Sequence, residues 1–83
     1  MNQPSYQELC NNNEGSWITE GPNSGGQEGW ILSKGFMFFY GGDWGMTEPM
    51  VSPGISIAEF LLRHQNDTKP RMILLRQELQ NRK

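Results

Sequence analysis

The chain has 83 residues, a net charge of −2 and an isoelectric point near 5.2, and it contains three Trp, four Phe and two Tyr. A chain of this length forms one domain, here 1–83, and its aromatic content favours a folded core over disorder. It has no apolar run long enough to cross a membrane, no secretory pattern near its start, and a single cysteine, Cys10, without an intrachain partner. We therefore expect a cytoplasmic protein that neither spans a membrane nor depends on disulfides.

The first third of the chain predicts one short helix and one strand. Residues 4–11 permit a short N-terminal helix, and a strand over about 16–19 follows a polar turn. The Gly-rich, polar residues 21–29 predict a loop, because glycine and polar side chains are typical of connections.

The centre of the chain predicts a β-hairpin. Strands over about 30–32 and 36–40 flank a three-residue turn at 33–35, in which glycine supplies the positive φ. Side chains alternate across a strand, so one face of the second strand carries Phe36, Phe38 and Tyr40 and the other carries Met37 and Phe39. Both faces are apolar. We expect the helices to bury one and a partner to cover the other.

The C-terminal third predicts two helices. Ser56 and Glu59 have the spacing of a capping box, so a helix is expected over about 57–65. Thr68 is expected to cap a second helix over about 69–81, with Pro70 in its first turn. Helical periodicity places Met72, Leu75 and Leu79 on its inner face. The predicted fold class is α+β: a small antiparallel sheet of two to three strands packed against a C-terminal helical hairpin.

A surface rich in aromatic residues and methionine is the predicted functional feature. Buried aromatic side chains dominate interface energies, and flexible methionine adapts to a partner's contour. The leading hypothesis is a small non-catalytic protein, inhibitory or accessory, that binds another protein. The residues predicted to bind this partner are Trp30, Met37, Phe39, Trp44, Met46, Met50 and Leu74.

Two alternatives follow from charge and from oligomerisation. Residues 1–62 hold Lys34 against seven carboxylates, whereas residues 63–83 hold six basic side chains against Asp67 and Glu78. This asymmetry allows a nucleic-acid-binding module, because basic side chains contact phosphates. Its predicted contacts are Lys69, Arg71, Arg76 and Arg82. The second alternative is a homodimer that binds a small ligand, with the second strand face buried between two copies.

Catalytic signals are weak. His64 is the only histidine, and no nucleophile or acid stands at a recognisable spacing from it, so we interpret it as a capping or core-edge residue. The glycines of 41–45 do not open into a helix with the Lys and Ser or Thr of a phosphate-binding loop. The loop carboxylates Glu14, Glu20, Glu28, Asp43 and Glu48 are interpreted as solvated. We expect no enzyme activity, no cofactor and no metal.

Overall fold

A computed structural model of the chain describes residues 3–43 and 48–82. It shows the α+β class that the sequence predicts, with five strands where two or three were expected. The elements are α1 (Tyr6–Asn11), β1 (Gly15–Asn23), β2 (Gly26–Ser33), β3 (Phe36–Gly42), β4 (Met50–Val51), β5 (Ile55–Ser56), α2 (Ile57–Arg63) and α3 (Pro70–Gln80).

The strands form one antiparallel sheet in the order β1-β2-β3-β4, and the short β5 also pairs with β3. The predicted loop at 21–29 is wrong, because β1 continues to Asn23 and β2 begins at Gly26. Gly29 accounts for part of this wrong loop prediction. A Cβ there would lie 2.3 Å from the Trp17 carbonyl oxygen and 2.8 Å from the Tyr40 hydroxyl, so this glycine permits close strand contact and does not mark a loop.

The turn between β2 and β3 is tighter than predicted. Ser33 pairs with Phe36, which leaves Lys34 and Gly35 as a two-residue turn. Both turn residues have positive φ, 53° and 83° respectively. Positive φ at both central positions matches the twist of the flanking strands in a hairpin of this length.

One face of the sheet packs against both C-terminal helices. Met37 is fully buried there, and Trp30 packs at the margin of the same cluster. The buried members of this helix-side core are Leu32, Met37, Phe60, Met72, Leu75 and Leu79. The inner stripe of α3 is therefore the one that the helical periodicity predicts, with Leu74 exposed on another side.

The opposite face of the sheet is covered by α1. Leu9 of α1 forms a buried cluster with Ile31, Phe38 and Tyr40, and Tyr6 and Val51 pack at its margin. Most of the face that we expected a partner to cover is thus buried within the chain. Burial and a hydrogen bond with Cys10 raise the pKa of Tyr6 to about 12, so its phenol stays protonated at neutral pH.

Side-chain caps define two of the three helix starts. Ser5 and Glu8 form a reciprocal capping box at α1, and Ser56 Oγ accepts a hydrogen bond from the Glu59 N–H at 3.1 Å. Glu59 does not complete the second box among the described contacts, since its carboxylate pairs with Arg63 at 2.7 Å. Both C-terminal helices are slightly shorter than predicted.

The start of α3 differs from the prediction. Its N-cap is Lys69 and not Thr68, and Asp67 Oδ1 accepts the Lys69 N–H at 3.0 Å. The reason is steric: the residue before Pro70 is held in extended geometry, which makes it the last non-helical position. None of the helices in the described part of the chain is long and apolar enough to cross a membrane.

Candidate functional site

An apolar patch lies on the face of the sheet that packs against α2 and α3, beside the area that these helices cover. Trp30 and Phe39 are paired across β2 and β3, with ring centroids 5.3 Å apart in an edge-to-face arrangement. Gly41 lies two residues after Phe39 on the same face, and its partner on β4 is Met50. Gly41 has no side chain, and a Cβ added there would lie 3.2 Å from Glu28 Cγ and 3.8 Å from the Phe39 ring, so the Glu28 stem lies beside Phe39. We call Trp30, Phe39 and Met50 the helix-side patch.

The patch is anchored at one end and exposed at the other. The Trp30 ring packs against Phe60 at 4.7 Å and His64 at 5.5 Å between centroids. Trp30 and Phe39 are half-buried, whereas Met50 is 70% exposed. The arrangement therefore combines two rings held by core packing with one flexible, exposed side chain.

The other predicted partner-binding residues do not all join this patch. Met37 is 0% exposed in the helix-side core, so it has no side-chain surface to offer a partner, and we remove it from the site. Trp44 and Met46 lie outside the described residues.

Leu74 is exposed at the other edge of the sheet. It shares one side of α3 with Arg71 and Glu78, three and four residues away. Those two neighbours contact β1: Arg71 Nη1 donates to the Gly21 carbonyl at 2.7 Å, and Glu78 Oε1 accepts from Trp17 Nε1 at 3.1 Å. Because β1 and β4 are the two ends of the sheet, Leu74 and Met50 belong to different surfaces.

The predicted nucleic-acid contacts are dispersed. Arg82 stacks over the Trp17 ring at 5.6 Å, and Arg71 is held on the Gly21 carbonyl. Arg76 is half-buried, with Nη1 shielded from solvent and without a hydrogen-bond partner in the part of the chain that the structure describes. Lys69 is exposed at the N-cap. These side chains do not form one continuous basic face.

His64 is the C-cap of α2 and packs on the aromatic rings of Trp30 and Phe60. Burial lowers its pKa below the usual 6.5. Nearby Asp67 opposes this shift, and the positive charges of Arg63, Arg76 and Lys69 reinforce it. The imidazole is therefore neutral at pH 7 and borders the helix-side patch.

Three of the carboxylates that the sequence analysis considered lie around one cleft. Glu20, Glu28 and Asp43 line one cleft of about 180 Å³ beside the β1–β2 turn. Within residues 3–43 and 48–82, however, no three His, Cys, Asp or Glu side chains are placed so that they could hold a metal ion.

A groove beside α1 was not found by reasoning from the sequence. It has a volume of about 500 Å³ and mostly apolar walls, and it runs between α1 and the β2–β3 turn. Its principal lining residues are Pro4, Glu8, Ser33, Lys34, Phe36 and Phe38, and we call it the α1 groove. One available signal was overlooked: Ser5 and Glu8 have capping-box spacing, which predicts the start of α1 and hence one wall of the groove.

Comparisons with known proteins identify no relative. No family model matches the sequence, and neither a curated protein nor a solved structure matches the chain. Arguments about function therefore rest on the geometry of the patch and of the groove.

Proposed function

We propose that this chain is a small non-catalytic binding protein that recognises another protein through the helix-side patch. The supporting observation is the exposure of Met50, 70%, beside an aromatic pair that is fixed by the core. Aromatic anchors held in place lose little conformational entropy on binding, and an adjacent methionine adapts to the partner's surface. We place the protein in the cytoplasm, where a reducing environment suits an exposed free thiol such as Cys10.

The test is affinity capture by the immobilised full chain from nuclease-treated lysate of its host, with two matched variants. Met50→Ser removes the exposed end of the patch, whereas Leu62→Ser changes a residue of similar exposure, 63%, on α2. Both substitutions are on the surface, so each should change the free energy of unfolding by less than about 0.5 kcal/mol. We expect one protein retained in stoichiometric amount by the wild type and by Leu62→Ser, and lost with Met50→Ser.

Equal retention by both variants would contradict the proposal. The homodimer alternative is separated by light scattering, because a dimer that becomes a monomer in Met50→Ser would make a second copy the partner. Nucleic-acid binding through α3 requires Arg71 and Arg82 to leave their present contacts on Gly21 and Trp17. Material captured only when nuclease is omitted would support that alternative.

A further inference from the structure

The α1 groove has the composition of a small-molecule site. Its aromatic lining consists of Phe36, which is 49% exposed, and the buried Phe38. Its volume of about 500 Å³ is within the range of roughly 300–1,000 Å³ that is typical of ligand pockets. The two residues lie two positions apart on one face of β3, and the exposed Phe36 ring offers an apolar surface to a ligand.

Ser33 provides an unused polar group in the groove wall. The residue is only 5% exposed, and its hydroxyl makes no hydrogen bond to another residue in the described parts of the chain. The hydroxyl oxygen itself is not sealed from solvent, because Ser33 lines the groove. A ligand in the groove can therefore take the place of water at this hydroxyl.

Two opposite charges border the same space. Lys34 stands at the β2–β3 turn with its position set by a φ of 53°, and its ammonium has no ion pair among residues 3–43 and 48–82. Glu8 lies on the α1 side; its Oε1 accepts the Ser5 N–H at 3.1 Å, which leaves Oε2 available. The groove thus carries one cation and one anion on different walls.

From this combination we propose that the α1 groove binds a zwitterionic α-amino acid with an aromatic or branched aliphatic side chain. The ligand carboxylate contacts the Lys34 ammonium and the Ser33 hydroxyl, its ammonium contacts Glu8, and its side chain lies on Phe36. A simple anion is disfavoured by Glu8 and by Glu14, whose carboxylate accepts the Gly35 N–H beside the turn. A simple cation is disfavoured by Lys34.

The proposal is independent of the protein-binding function, since the groove and the helix-side patch are on opposite faces of the sheet. The test is an NMR titration of the full chain with L-phenylalanine, 3-phenylpropanoate and 2-phenylethylamine, following backbone amide shifts. The second compound lacks the ammonium and the third lacks the carboxylate. We expect L-phenylalanine to saturate shifts at Ser33, Gly35 and Phe36, and each truncated compound to bind at least about ten-fold more weakly.

A variant separates the role of the charge from that of the aromatic lining. Lys34→Asn keeps a residue that tolerates positive φ. It should weaken L-phenylalanine binding about ten-fold or more, because the ligand carboxylate loses the Lys34 ammonium. Binding of 2-phenylethylamine should become tighter, because the like-charge repulsion from Lys34 is removed. Lys69→Gln, at the start of α3, is the matched control and should leave all three affinities unchanged.

Three results would each overturn the assignment. The first is the absence of groove shifts with L-phenylalanine in the millimolar range, where a weak specific ligand is still detected. The second is equal binding of 3-phenylpropanoate, which would exclude a role for Glu8. The third is an unchanged affinity for L-phenylalanine in Lys34→Asn.

Discussion

Gly29 shows how one residue without a side chain allows two neighbouring strands to approach closely. A Cβ added at Gly29 would come within 3.0 Å of the Trp17 carbonyl oxygen and of the Tyr40 ring and hydroxyl, closer than real Cβ atoms approach. Tyr40 in turn accepts a hydrogen bond from Gln27 Nε2 at 3.0 Å, which fixes its hydroxyl above β2. The glycine is therefore a packing requirement of the β1–β2–β3 sheet.

Replacing Gly29 with alanine should lower the free energy of unfolding by about 1–3 kcal/mol, the usual effect of overpacking. Urea denaturation measures the change. Gly25→Ala is the matched control, because an added Cβ there meets only Asn23 Oδ1 at 3.4 Å. Similar losses in the two variants would show that the close contact at Gly29 is not the cause.

His64 makes stability depend on pH. Burial lowers its pKa in the folded protein below the value of about 6.5 that it has in the unfolded chain. As the pH falls through about 6.5, the unfolded chain binds the proton first, and the folded state is destabilised. The stability that the neutral His64 side chain contributes is present above about pH 6.5 and is lost as the pH falls towards the lowered pKa of the folded protein.

The expected result is a urea midpoint that falls between about pH 7.5 and 5.5 in the wild type, over the window in which an unfolded histidine titrates. The midpoint of His64→Gln should be lower at every pH, because the ring contacts with Trp30 and Phe60 are lost. It should also vary less with pH over the same range, because glutamine does not titrate. Parallel curves of urea midpoint against pH for the two proteins would show that His64 does not cause the pH dependence.

At the scale of elements, α1 is six residues long and owes its place to packing. An isolated helix of this length is not stable in water, so its capping box and the burial of Leu9 must hold it on the sheet. The helix converts an apolar strand face into a second core and forms one wall of the α1 groove. This is why the face did not remain open for a partner.

Leu9→Ala should lower the free energy of unfolding by about 2–5 kcal/mol, because it opens a cavity against Ile31 and Phe38. Thermal or urea denaturation gives the change. Gln7→Ala, an exposed position on the same helix, should alter it by less than about 0.5 kcal/mol. A small effect of Leu9→Ala would mean that α1 adds little to the fold, and it would also weaken the case for the groove.

At the scale of the whole molecule, the segregated charges have a structural use. The basic C-terminal part of the chain docks along β1 through Arg71 on the Gly21 carbonyl and Arg82 on the Trp17 ring. The ion pair with Glu59 is made by Arg63 within α2 itself. Among the described residues, these basic side chains therefore contact backbone and aromatic groups of β1, and none forms an ion pair with a carboxylate of the sheet.

The two faces of the sheet also divide the candidate roles. The helix side ends in an exposed methionine beside a fixed aromatic pair, and the α1 side ends in a concave groove with an unused hydroxyl. An exposed apolar patch suits a protein surface, and a groove suits a small molecule. The two proposals therefore use different surfaces of one domain and can be tested by substitutions that do not overlap.

Local patterns in the sequence determined the α+β class, which side chains of β3 share a face, the Ser56 cap of α2 and the inner stripe of α3. The reason is that alternation, capping and helical periodicity involve residues close in the chain. Only the tertiary structure decided that α1 covers the second face, that residues 21–29 are mostly strand, and that Lys34 and Glu8 border one groove. Those outcomes depend on contacts between distant residues, such as Leu9 with Phe38, and no local pattern encodes them.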